Sequence, residues 1–178
     1  MKVGHIRTTL TEEAIQTAFN NLLLKKDIDR ISIKDVTELA QVNRATFYAH
    51  FQDKYALFDR MIEDSIDGLF SNHAPGSDQL DSDSLSAYFE AIYDYLLKIK
   101  DHCPYSYQKL LPKVRQAIVK ILSNRLNTFN NGHPATNQNA FARHMAASII
   151  YEAAEFQLIN ETPLKPAEII TEITRFLN

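Results

Sequence analysis

The chain has 178 residues, 45% of them hydrophobic and 23% charged, with six Pro and four Gly, a balance that excludes a disordered chain and suits long regular elements. A formal net charge of −3 argues against a broad basic nucleic-acid surface, and a single cysteine, Cys103, excludes an internal disulfide and fits a reducing compartment. No apolar run approaches the roughly 20 residues that span a bilayer, and the N-terminal segment lacks the apolar centre of a signal peptide, so a cytoplasmic protein with no membrane partner is expected.

Almost every segment carries the 3.6-residue period of a helix, and none carries a sustained period of two. The first helix is expected from Thr11 as N-cap, with Glu12 and Glu13 in the first turn, where the helix dipole favours acids. Its apolar stripe is Ile15, Ala18, Phe19, Leu22 and Leu23. A second helix over 33–40 starts behind Ser32, which has with Asp35 the spacing of a capping box. Gln41, Val42 and Asn43 form a turn, and Asn43 caps a short third helix reaching residue 51. A longer helix from near Asp53, striped by Tyr55, Phe58, Ile62, Ile66 and Leu69, ends before the Pro-, Gly- and acid-rich linker 71–83. Further helices are expected near 84–100, 105–111, 113–127, 138–159 and 166–177, with Pro112 and Pro166 at or just before first turns, where Pro is tolerated. The predicted fold class is all-α.

The third helix is unusual. At about 100° per residue, Phe47 and Phe51 fall on one side and must be its buried side. Opposite lie small residues, Ala45, Thr46 and Ala49, with Arg44 and Tyr48 along one shoulder and Thr46 and His50 along the other. A helix facing only solvent carries Lys, Glu and Gln there. A smooth ridge with hydrogen-bonding shoulders suits a DNA major groove about 12 Å wide, in which alanine methyls can touch thymine methyls and Arg44 can bridge guanine O6 and N7. Helix 33–40, the three-residue turn and this helix make a helix-turn-helix, although any amphipathic helix pair with a short turn gives a similar pattern. Charge is split mildly: residues 1–60 hold 9 Lys/Arg and 8 Asp/Glu (+1), residues 61–178 hold 10 and 14 (−4).

The stretch SIKDVTELAQVNRATFYAHFQDKYALF resembles the DNA-binding segment of the tetracycline-repressor (TetR) family of bacterial regulators. Val42, Thr46, Phe47, Tyr48, His50, Phe51 and Lys54 meet its pattern, and the resemblance covers about residues 10–60. Beyond that it rests on helical layout alone, which looks like the short C-terminal domain of a Gram-positive subgroup. The resemblance implies phosphate contacts from Thr46, Tyr48, His50 and Lys54, base contacts near Arg44 and Ala45, and a further contact from Ser32 and Lys34. It departs at Gln41, where Gly is frequent, and at Thr37, where Ala is usual. If the turn needs positive φ, Gln41 stores strain.

The expected organisation is a three-helix DNA-binding head, 1–53, joined by a connecting helix, 54–70, to a larger effector-binding and dimerisation domain within 54–178. A lone helix-turn-helix reads few base pairs, so a homodimer on a pseudo-palindromic double-stranded operator is expected, with recognition helices about 34–36 Å apart. The helix near 138–159 is apolar nearly all round and rich in Ala, and the last helix carries Ile169, Ile170, Ile173 and Phe176. Their residues Ala142, Ala146, Ile150, Ala153, Ile169 and Ile173 are assigned to the dimer interface. Family resemblance puts an effector pocket among the aromatics Tyr88, Phe89, Tyr93, Tyr105, Tyr107 and Phe129. It implies a repressor controlled by a small molecule; the alternatives are an activator or regulator answering to a protein partner, and a helical adaptor that has lost DNA binding. No cofactor, metal site or catalysis is expected: His102 and Cys103 are adjacent and point apart, the six His lack zinc spacing, and no phosphate loop or GxSxG is present.

Overall fold

Capping residues and apolar stripes place the helices of this chain largely where its sequence puts them. The computed structural model describes residues 3–72, 82–126, 137–160, 163, 165 and 167–169. Along these run α1 (Val3–Leu23), a 3-10 turn (Ile28–Arg30), α2 (Ile33–Leu39), α3 (Arg44–His50), α4 (Lys54–Asn72), α5 (Ser82–His102), α6 (Tyr107–Arg125) and α7 (Asn137–Asn160). No strand occurs among the described residues. The fold is all-α.

The chain divides into two compact units. One comprises Met1–Glu63 together with Ile99–Leu111; the other comprises Asp64–Lys98 and Pro112–Asn178. The first unit thus runs past the expected boundary at residue 53 and takes in a segment from far along the chain. It buries Ile15, Phe19, Leu23, Ile28, Ile31, Val36, Phe47, Leu57 and Phe58. Cys103 is buried there too, and burial pushes its thiol up to about 11, which makes it a packing residue rather than a nucleophile.

The second unit has its own core of Ile66, Phe70, Tyr88, Ile92, Val114, Ile118, Leu122, Ala147, Tyr151 and Ala154. Tyr88 meets Phe70 edge-on at 5.6 Å. The Arg125 guanidinium lies 5.7 Å from the Phe70 ring and donates to the Phe70 carbonyl at 3.1 Å.

Three expectations are corrected. Helix α1 begins at Val3, so Thr11 lies within it rather than at its start. The two helices expected on either side of Pro112 are one, α6, with the proline inside. An interior Pro costs about 3 kcal/mol, but Leu110, Leu111, Val114 and Ile118 are buried on both sides of it while Pro112 itself is exposed. Burial holds the helix through the break. Tyr55, placed in the apolar stripe of α4, instead donates its hydroxyl to Asp29 Oδ1 at 2.7 Å. Of the expected helix 166–177, only the helical stretch 167–169 lies within the described residues.

Candidate nucleic-acid interface

Ser32 opens the helix pair as expected. Its Oγ accepts the Asp35 amide at 3.1 Å, and Asp35 Oδ2 accepts the Ser32 amide at 2.8 Å, closing the capping box. The Ser32 amide and hydroxyl, with the Lys26 ammonium at 3.1 Å, hold the Asp35 carboxyl at about 2, well below the usual carboxylate range. Beyond the Ala40 cap of helix α2 stands Gln41, whose φ of 57° is left-handed. The Gln41 amide donates to the Glu38 carbonyl at 3.3 Å and the Val42 amide to the Thr37 carbonyl at 3.0 Å, which is the hydrogen-bond pattern of a Schellman motif. The turn therefore does require the conformation that favours glycine, and Gln41 adopts it at a cost of about 1–2 kcal/mol.

Asn43 then caps α3, its Oδ1 accepting the Thr46 amide at 2.7 Å. Phe47 and Phe51 are buried with ring centroids 5.8 Å apart, so the helix is turned as the wheel requires. Arg44, Ala45, Tyr48 and Ala49 are exposed, Tyr48 by 56%, and Thr46 and His50 are half-buried beside them. The Tyr48 ring stands edge-on to Phe47 at 5.6 Å, a contact that fixes an otherwise loose aromatic at the surface.

Other expected contacts are already engaged. The Thr46 hydroxyl donates to Asn43 Oδ1 at 3.0 Å, and the Ser32 hydroxyl donates to Asp35 Oδ2 at 2.8 Å. Lys34 is exposed on α2, 3.6 Å from Glu38. Lys54 is the most fully engaged. Its ammonium donates to the carbonyls of Ile28 (2.7 Å), Asp29 (3.0 Å) and Ile31 (2.9 Å). An ammonium has three N–H groups, matching the three carbonyls it meets here. Asp53 caps α4 next to it, accepting the Tyr55 and Ala56 amides at 2.8 Å each.

The aromatics assigned to an effector pocket are divided between the two units. Tyr88 and Phe89 are buried in the second unit, where Tyr93 stacks on Phe89 at 6.4 Å. Tyr105, exposed, and Tyr107 belong to the first unit, and Phe129 lies outside the described residues. An open groove of about 660 Å³ lies elsewhere in the second unit, lined by Arg115, His144, Met145, Ser148, Ile149, Glu152, Ala153 and Ile169. Across it Arg115 Nε donates to Glu152 Oε1 at 2.6 Å.

Of the residues assigned to the dimer face, Ala142 is exposed, Ala146, Ala153 and Ile169 are half-buried, and Ile173 lies outside the described residues. Ile150 is a correction: it is buried within its own chain, because it shares the inward side of α7 with Ala147, Tyr151 and Ala154. The outward side carries Phe141, Met145, Phe156 and Ile159, all exposed, which the helical spacing alone did not separate from the core side.

Residues 17–61 match the family described as bacterial regulatory proteins, tetR family. That segment is a TetR-family DNA-binding region. Two curated relatives are similar: YxbF, an HTH-type transcriptional regulator of Bacillus subtilis, is 26% identical over 91 residues, 51% of this chain and 24% of its own length. DhaS, the dhaKLM operon transcriptional activator of Lactococcus lactis, is 26% identical over 68 residues, 38% of this chain and 36% of its own length. The chain therefore matches less than two thirds of either relative. Solved TetR-like structures share the fold: that of the dihydroxyacetone kinase operon activator DhaS has a TM-score of 0.58 at 17% identity, covering 93% of this chain and 94% of its own. A regulator from Streptococcus agalactiae has a TM-score of 0.56 at 23% identity, covering 96% and 94%.

Proposed function

We propose that this protein is a sequence-specific DNA-binding transcription regulator that acts as a homodimer. The observation that carries the reading is α3 itself. Its aromatic side is buried, its outward side is a ridge of Ala45 and Ala49, and Arg44 and Tyr48 stand exposed beside it. Such a ridge can approach base edges, with Arg44 reading guanine and Ala45 touching a neighbouring base. Tyr48 and His50 lie where they can meet phosphates on the groove walls, and such contacts set position rather than sequence. Thr46, Ser32 and Lys34 contribute at the rim of the same surface, the first two after exchanging the cap bonds they now make.

Dimerisation falls to the outward side of α7. Ala142, Met145, Ile149, Phe156 and Ile159 follow alternating three- and four-residue steps with Glu152 among them, the spacing of a helix-helix seam. Its exposed apolar residues are of the kind that interface cores enclose. A small-molecule effector acting on the second unit is the regulation this reading favours, with repression as its output. The similarity to DhaS, an activator, supports activation as a second reading.

Selection of retained duplexes from a random DNA pool tests the function. Enrichment of a pseudo-palindrome supports it; no enrichment of any sequence refutes it. Sedimentation tests the dimer, which has twice the 20.4 kDa of one chain.

A further inference from the structure

The 3-10 turn before α2 is held from an unexpected side. The Ile28 amide donates to Ser106 Oγ at 2.7 Å in a buried bond between residues 78 apart in sequence. Lys109, in the first turn of α6, places its ammonium 2.9 Å from Asp27 Oδ2 and 2.7 Å from Asp29 Oδ2. Asp27 also caps the turn, accepting the Asp29 amide at 2.8 Å, and Asp29 also receives the Tyr55 hydroxyl. Meanwhile Lys54 holds the carbonyls of Ile28, Asp29 and Ile31. Amide, carbonyls and carboxylates of one short turn are thus all fixed. That turn runs directly into Ser32, the cap of α2, and α2 sets α3 through the Gln41 turn.

Both anchors lie outside the 17–61 family match, yet Ile99–Leu111 clusters with the head. An exposed ion pair adds little to overall stability, but two carboxylates sharing one ammonium fix the angle of a turn. From this geometry we infer that Lys109, with Ser106, is a positioning residue for DNA reading: it orients the start of the helix pair without touching DNA. The reading module is accordingly built from two separate stretches of sequence. This inference rests on the DNA-binding function proposed above.

The test uses the full-length protein and, as probe, the duplex most enriched from a random pool by the wild type. Lys109→Met should weaken binding on the order of threefold to tenfold, and Lys109→Arg should restore it to within about twofold. The dependence of affinity on salt should keep the wild-type slope, because no phosphate contact is lost. Asp29→Asn is decisive in sign. Positioning predicts weaker binding, whereas simple removal of an acid near DNA predicts tighter binding. Unchanged binding by K109M, a slope shallower by about 0.9, or tighter binding by D29N each overturns the positioning role while leaving DNA reading intact. A wild type that enriches no sequence overturns both.

Discussion

The ammonium of Lys54 lies 2.9 Å from the carbonyl oxygen of Ile31, the last residue before the cap of α2. A cation in the first turn of α4 opposes that helix's dipole, and its compensation is the carbonyl end of the 3-10 turn rather than a phosphate. Lys54→Met should therefore lower the stability of the protein by about 1–3 kcal/mol, the cost of charged-group hydrogen bonds lost from a half-buried site. Chemical denaturation measures this. Salt-dependent DNA binding supplies the contrast: the slope should match the wild type, and a shallower one would return Lys54 to the phosphate-contacting set.

Gln41 carries the strain that a glycine would relieve. Gln41→Gly should raise stability by about 0.5–1 kcal/mol, because the left-handed conformation then meets no Cβ. The denaturation midpoint should rise without a change in slope. A drop in stability would mean that the Gln41 side chain contributes more than its backbone costs.

Arg44 and Tyr48 should separate by the kind of loss they cause. Arg44→Ala should relax preference at one base pair by about 1–3 kcal/mol. Tyr48→Ala should weaken all sequences alike and leave the salt slope unchanged, since a neutral side chain displaces no counterion. Repeating the random-pool selection with each variant distinguishes them; an unaltered selected sequence for Arg44→Ala would remove it from base reading.

The capping box predicts an acid response. Asp35 has a lowered carboxyl pKa in the folded protein, about 2 against an ordinary 3.8. A depressed folded value stabilises above the unfolded pKa and is lost as pH falls through the folded one. Wild type should thus exceed Asp35→Asn in melting temperature at pH 5, and the gap should close between about pH 4 and pH 2. A gap as large at pH 2 as at pH 5 would assign the effect to something other than the carboxylate.

Local chemistry made the reading helix legible in the sequence. The Ser32–Asp35 box, the Asn43 cap and the four-residue spacing of Phe47 and Phe51 act within a turn or two of chain, and all three stand in the structure. The errors came from distance and competition. Nothing near Lys109 signals Asp27 or Asp29, which lie 82 and 80 residues away. Tyr55 has the spacing of a core residue but a hydroxyl that finds Asp29. Pro112 reads locally as a helix start, and only the buried residues on both sides of it show why α6 continues. On α7, nearly uniform apolarity hid which side faces inward, so Ile150 was assigned outward while Phe156 was missed.

The distance between Ile28 and Ser106 also has a meaning in time. A ribosome adding about 5–20 residues per second finishes the caps and apolar stripes of α2 and α3 long before it reaches the serine that accepts the Ile28 amide, a delay of about 3–11 s at that pace. During that interval the nascent head has its reading helix but not its fastening. On the positioning role proposed above, a chain broken off before Ser106 would hold the exposed side of α3 and still lack the bond that fixes the turn before α2.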